Sequence, residues 1–161
     1  MKRILKIAAV AIVALACTGI LSAQSDPFIG VWKLNVAKSD YTATQAPKSE
    51  TRTIEAQGKG VKHTLEGTAA DGSRIAYSYT SNLDGKDSPI SGVGQPSGGA
   101  TIAVKRVNAH TTTAITRRPD KSVLTTSIAV VSKDGKVMTN TVKGTNAKGQ
   151  SGAFTSVWDK Q

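Results

Sequence analysis

The side chains able to do chemistry in this 161-residue chain are few and widely spaced. His63 and His110 stand far apart, with no His-x-His pair, and the single cysteine, Cys17, lies near the start, so no set of ligands falls at metal-binding spacing. Asp71, Asp84, Asp87 and Asp134 sit in turn-forming contexts and not as a pair of carboxylates placed for acid–base work. There is no Gly-x-Ser-x-Gly elbow, phosphate-binding loop or dinucleotide fingerprint. The glycine-rich stretch 92–99 has no helix after it that would turn it into a phosphate cradle. These absences argue against an enzyme and against a metal or cofactor. What is left is a small set of polar-tipped side chains in apolar company, His63, Tyr77, Tyr79 and Arg106, together with Trp32. Pockets for small molecules use a few such groups in an apolar lining. These five are the candidate ligand-contacting residues.

The elements that must position them read as β-strands. Thr, Val, Ile and Tyr, which suit a pleated surface, fill short runs separated by turn signals. Asp71-Gly72, Asp84-Gly85 and Asp134-Gly135 are hairpin dipeptides, because both residue types tolerate the positive φ of a tight reversal. Gly58-Lys59-Gly60 and Pro119-Asp120-Lys121 mark further turns. Strands are expected over 29–36, 50–57, 61–67, 74–80, 101–107, 111–118, 122–132, 137–143 and 152–159, with a short one near 88–91. No stretch after the first two dozen residues carries a 3.6-residue apolar period. Residues 37–46 form a long connection with room for one helical turn.

Short links between strands imply antiparallel neighbours. A meander of about 8–10 strands must hide its two edges, and closure into a barrel does this most completely. A two-sheet sandwich is the alternative. Alternation puts Val61, His63 and Leu65 on one face, Ile75, Tyr77 and Tyr79 on another, and Ile102 and Val104 on a third with Arg106 at its end. The residues 137–143 could turn either face inward, while Phe154, Ser156 and Trp158 share a face of the last strand. The chain has two Phe, two Trp and three Tyr against 19 Thr. A barrel of about eight strands is just filled by side chains or holds one small ligand, so a wall this rich in small residues should leave space.

The first residues have the layout of a secretory leader. Lys2, Arg3 and Lys6 precede an apolar stretch over 7–21, and Ser22-Ala23 then offers a small-residue cleavage site. The apolar stretch is about 15 residues, short of the roughly 20 a spanning helix needs. The expected division is a signal peptide, 1–23, and one domain, 24–161, long enough to bury a core without disulfides. Export to the periplasm or the medium follows. Ala14-Leu15-Ala16-Cys17 loosely resembles a lipobox, so a lipid anchor at Cys17 is the alternative. The whole chain carries a formal charge of +10, and removal of the leader leaves 18 basic and 11 acidic residues. That balance favours peripheral contact with anionic envelope surfaces. The basic residues form no run and the aromatics no stacking platform, which argues against nucleic acid.

The phrase Gly30-Val31-Trp32-Lys33-Leu34-Asn35 resembles the Gly-x-Trp opening of the lipocalin and fatty-acid-binding protein (calycin) superfamily. The longer phrase from Asp26 to Ser39 is similar to that of a group of secreted bacterial proteins of unassigned function. So are Pro47, Asp84-Gly85-Lys86-Asp87, Ser132-Lys133-Asp134-Gly135-Lys136 and the closing Trp158-Asp159-Lys160-Gln161. The resemblance implies an up-and-down barrel with an internal site for a small, mostly apolar molecule. It also implies that Trp32 plugs one end with an arginine of a late strand packed on it. The last strand holds no arginine, which leaves Arg106, Arg117 and Arg118 as substitutes. Independently of the resemblance, Gly30 removes a side chain where something must approach closely, and Trp32 supplies the largest apolar cover. The expectation is a monomeric exported protein that binds a small apolar or amphipathic molecule. The alternative is a non-catalytic structural or interaction module that binds anionic envelope components through its basic surface.

Overall fold

The computed structural model describes residues 26–95, 98–145 and 151–161. The expected leader, its cleavage site and Cys17 lie outside the described residues. The protein is all-β, with strands β1 (Gly30–Leu34), β2 (Ser49–Gln57), β3 (Gly60–Thr68), β4 (Arg74–Ser81), β5 (Asp84–Pro89), β6 (Ser91–Val93), β7 (Thr101–Asn108), β8 (Thr111–Arg117), β9 (Val123–Val131), β10 (Val137–Thr145) and β11 (Ser151–Lys160). All belong to one antiparallel sheet in the order β5-β7-β8-β9-β10-β11-β1-β2-β3-β4-β6. The meander is therefore closed on itself where β1 pairs with β11, in the register Lys33↔Asp159 and Leu34↔Trp158.

The remaining seam explains why the strands number eleven. β5 and β6 are two halves of one stave, broken at Ile90. β5 pairs with β7 from Asp84↔Lys105 to Pro89↔Thr101, and β6 pairs with β4 at Ser78↔Ser91, Tyr77↔Gly92 and Ala76↔Val93. Among the described residues no ladder register joins β4 to β5, and Pro89 has no N–H to offer one. The result is a nearly closed barrel of ten staves.

One expected turn falls elsewhere. The reversal after β4 is made at Asn82-Leu83, with Leu83 at φ 60° and its N–H donating to Ser81 Oγ at 3.0 Å. Asp84 and Gly85 instead begin β5, where Gly85 (φ 81°) absorbs a register slip between Asp84 and Asp87. The positive φ that suits Asp-Gly to a hairpin suits it equally to a bulge. Asp87 serves no reversal; it pairs with Arg117 Nη1 at 3.0 Å across β7. Asp71 and Asp134 do serve turns, each accepting the N–H two residues on, from Ser73 (2.8 Å) and Lys136 (3.1 Å). The helical turn in the β1–β2 segment is a single 3-10 turn, Val36–Lys38.

That segment is strapped along β11. Asp40 exchanges backbone hydrogen bonds with Thr155 at 2.8 and 2.9 Å, and Asn35 N–H donates to Val157 O at 2.8 Å. Lys38 pairs with Asp159 at 3.0 Å. Tyr41 then stacks on Phe154, ring centres 5.2 Å apart.

The core lies at the opposite end. Phe28, Trp32, Ile54, Val61, Val131, Met138 and Trp158 form one buried cluster there. A buried aromatic removes roughly 150–250 Å² from water, which at about 25 cal/mol per Å² is roughly 4–6 kcal/mol of transfer free energy. Trp32 is wholly buried, and its indole N–H donates to Phe28 O at 2.8 Å. The cation over its ring comes from the last strand after all, as a lysine: Lys160 Nζ sits 5.0 Å from the ring centre and donates to Pro27 O at 3.1 Å. Gly30 makes the room. At φ +137° a Cβ there would stand 2.6 Å from Lys160 Cε.

Candidate functional site

Above this plug the barrel is hollow. A cavity of about 600 Å³ is lined by the inward faces of β2, β3, β4 and of β7 to β11. Its mouth is edged by Thr44, Gln45 and Pro47 of the strap, by Ala69, Ala70 and Asp71 of the β3–β4 turn, and by Gly94 and Gln95. The space comes from a difference between opposing walls. β8 and β9 turn in Thr112, Ala114, Thr116, Thr125, Ser127 and Ala129, all short. The strands facing them across the barrel, β2 to β4, turn in Arg52, His63, Leu65, Tyr77 and Tyr79.

The polar groups of the larger wall are placed by register. Ile54↔His63 and His63↔Tyr79 are direct cross-strand pairs, and the His63 and Tyr79 rings stack at 4.6 Å with 14° between their planes. His63 is 8% exposed, and among the described residues its Nδ1 has no hydrogen-bond partner. Burial, reinforced by the charges of Arg52 and Arg106, holds its imidazole down to about 3, so it is neutral at physiological pH. Burial also raises the phenols of Tyr77 and Tyr79 above their ordinary range, and pushes Tyr41 up to about 12.

Arg52 and Glu50 share the inward face of β2. Arg52 lays its guanidinium over Trp158, 4.6 Å from the ring centre. Among the described residues it makes no ion pair, and its buried Nε has no hydrogen-bond partner. Guanidinium groups inside proteins are ordinarily saturated with acceptors, because an unmet buried donor costs about 1–3 kcal/mol and a charged one more. Burial raises the Glu50 carboxyl above the usual carboxylate range, against the partial opposition of Arg52. Trp158 is itself fixed by its indole N–H, which donates to Ser156 Oγ at 3.0 Å.

Of the five residues singled out from the sequence, His63, Tyr77 and Tyr79 stand together on the cavity wall. Trp32 and Arg106 stand outside the lining, in the plug. Arg106 forms an ion pair with Asp26 and lies 4.6 Å over the Phe28 ring, so its charge is satisfied below the cavity floor. Sequence reasoning missed Glu50, Arg52 and Tyr41. The signal for the first two was present: in Glu50-Thr51-Arg52-Thr53-Ile54, the period of two places both charges on the face of buried Ile54. Tyr41 lies in the strap, where no period applies.

The arrangement holds polar tips around an apolar space. It offers no nucleophile beside a base, and among the described residues no three His, Cys, Asp or Glu side chains gather as a metal site.

No protein-family model and no curated protein sequence matches this chain. Solved structures do. Zebrafish ileal bile acid-binding protein, solved in complex with cholic acid, superposes with a TM-score of 0.53 at 14% identity, over 84% of this chain and 99% of that one. Lobster apocrustacyanin A1 gives a TM-score of 0.44 at 13% identity, over 86% of this chain and 63% of that one. The first likeness shows a shared fold, an up-and-down barrel, here nearly closed, of the kind that the Gly-x-Trp opening implied.

Proposed function

We propose that the protein is an exported, non-catalytic carrier that holds one small apolar or amphipathic molecule inside its barrel. The observation that carries this reading is the cavity of about 600 Å³, within the roughly 300–1,000 Å³ of small-molecule sites. Its wall mixes apolar side chains with hydroxyls and with the polar groups of Glu50, Arg52, His63, Tyr77 and Tyr79. The shared fold supports the same reading, since the zebrafish protein was solved with cholic acid. The leader layout at 1–23 supports export to the periplasm or the medium, and the protein is taken to act as a monomer. The rival reading, a module acting only through its basic surface, favours a filled interior, and the hollow barrel weighs against it.

The neutral fluorophore N-phenyl-1-naphthylamine tests the carrier. One saturable site with enhanced emission is expected, displaced by decan-1-ol, and native mass spectrometry of protein purified from its own envelope should show a retained small molecule. No probe binding together with an empty native protein would sink the reading.

A further inference from the structure

Of the ionisable groups that line the cavity, Glu50 and Arg52 carry opposite charges when ionised. Arg52 is a half-buried cation whose Nε is withdrawn from water. Its flat face is taken by Trp158, and its edge, including the unpartnered Nε, is left without any hydrogen bond or ion pair among the described residues. Glu50 is two residues away on the same inward face, yet does not close onto it as a salt bridge.

The other groups facing Glu50 are Tyr41 of the strap and Tyr77 and Tyr79 of β4, and burial keeps all three phenols neutral. On β3 the residue paired with Glu50 is Gly67, and His63 further along is also neutral. Asp71 stands at the mouth, where hydrogen bonds from Ser73 keep its carboxyl below the usual range. Among the described residues Arg52 is thus the only cation lining the cavity with Glu50, and Glu50 is the interior carboxyl that burial raises above its usual range.

We propose that the carrier's ligand is an organic monoanion whose head group docks on the open edge of Arg52, beside His63, and that the Glu50 carboxylate competes with it for that cation. The proposal rests on the carrier reading and names the ligand class. With Glu50 protonated, Arg52 is an uncompensated charge, and an incoming anion supplies both the missing acceptors and the missing charge. With Glu50 ionised, Arg52 already has a counter-charge and a second anion meets repulsion. Anion binding is then coupled to the uptake of one proton, tight at low pH and weakened as pH rises through the raised Glu50 value. By linkage, the weakening approaches about tenfold per pH unit above that value.

The test uses one ten-carbon chain with three heads: decane-1-sulfonate, which stays ionised at every pH used, decan-1-ol and decyltrimethylammonium. At pH 5.5 the sulfonate is expected to bind the full-length protein at least about tenfold tighter than the alcohol, and the ammonium weakest of the three. Its affinity should fall between pH 5.5 and 8, while that of the alcohol stays level. Glu50→Gln should remove the fall and keep the tight sulfonate binding. Arg52→Gln should bring sulfonate and alcohol to equal affinity. Calorimetry of the unaltered protein in two buffers of different ionisation enthalpy should report proton uptake with the sulfonate and none with the alcohol, and this needs no variant to fold. Equal binding of sulfonate and alcohol by the unaltered protein overturns this proposal and leaves the carrier standing. Persistence of the pH dependence in Glu50→Gln also overturns it. Failure of all three probes to bind overturns the carrier reading, and the proposal with it.

Discussion

At the base of the barrel Lys160 lies over Trp32, its ammonium 5.0 Å from the ring centre and hydrogen-bonded to the Pro27 carbonyl. One step further along the same three strands Arg52 lies over Trp158 at 4.6 Å, with no side-chain hydrogen bond among the described residues. The two pairs use the same attraction between a cation and the negative face of an indole. They differ in what surrounds the cation. Lys160 is held by a carbonyl and a glycine that makes way for it, so its charge is settled within the plug. Arg52 looks onto open space. The first pair serves the plug, while the second, on the proposal made above, serves recognition from the floor of the cavity.

The largest effect that would sharpen this contrast is an acid one, on the cavity side. His63 in the folded protein sits near 3, against 6.5 for an ordinary histidine. A histidine whose folded value is depressed contributes stability that is present above its unfolded value and is lost as pH falls. Between pH 6.5 and 3 the unfolded chain takes the proton and the folded chain refuses it, so stability should fall by up to about 5 kcal/mol. Urea unfolding at pH 7, 5 and 4 measures the loss, and His63→Phe should flatten it within that window.

Next in size is Trp32→Ala, which should cost about 4 kcal/mol by urea unfolding at pH 7 through lost burial and the hole left in the plug. Smaller, but decisive in sign, is the exchange of each cation for methionine. Lys160→Met should lower stability by about 1 kcal/mol, because a settled cation–indole contact is removed. Arg52→Met should raise it by about 1–2 kcal/mol, because an uncompensated interior charge is removed. Equal losses in both variants, read from thermal unfolding, would erase the distinction between the two pairs.

Much of the frame is legible in the sequence, because alternation and turn chemistry act locally. The pairing of β3 with β4 puts Val61, His63, Leu65 and Ile75, Tyr77, Tyr79 on the inner face, as their period of two implies. The open interior follows from the shortage of bulk, since β8 and β9 line the cavity with only Ala, Ser and Thr. What is not legible depends on distance across the barrel. The cation on Trp32 is separated from it by almost the whole described chain, and nothing local says that Lys160, not Arg106, arrives there. Arg106 points the right way along its strand but is captured by Asp26 at the base. The Asp84-Gly85 pair shows another limit, since one backbone preference serves both a turn and a bulge, and only the neighbouring strand decides between them.

The pairing of β1 with β11 also bears on how the molecule comes to exist. Lys33 faces Asp159 across that ladder, so the wall is continuous only when segments from opposite ends of the described chain have met. Contacts of such long sequence separation must meet the entropy of loop closure before any of them is rewarded. Trp32 has its full surroundings only once β11 is in place, since Trp158 and Lys160 both come from that strand. Assembly of the base is therefore a late event, expected in the millisecond-to-second range of high-contact-order β proteins. It begins only after synthesis has released the final strand.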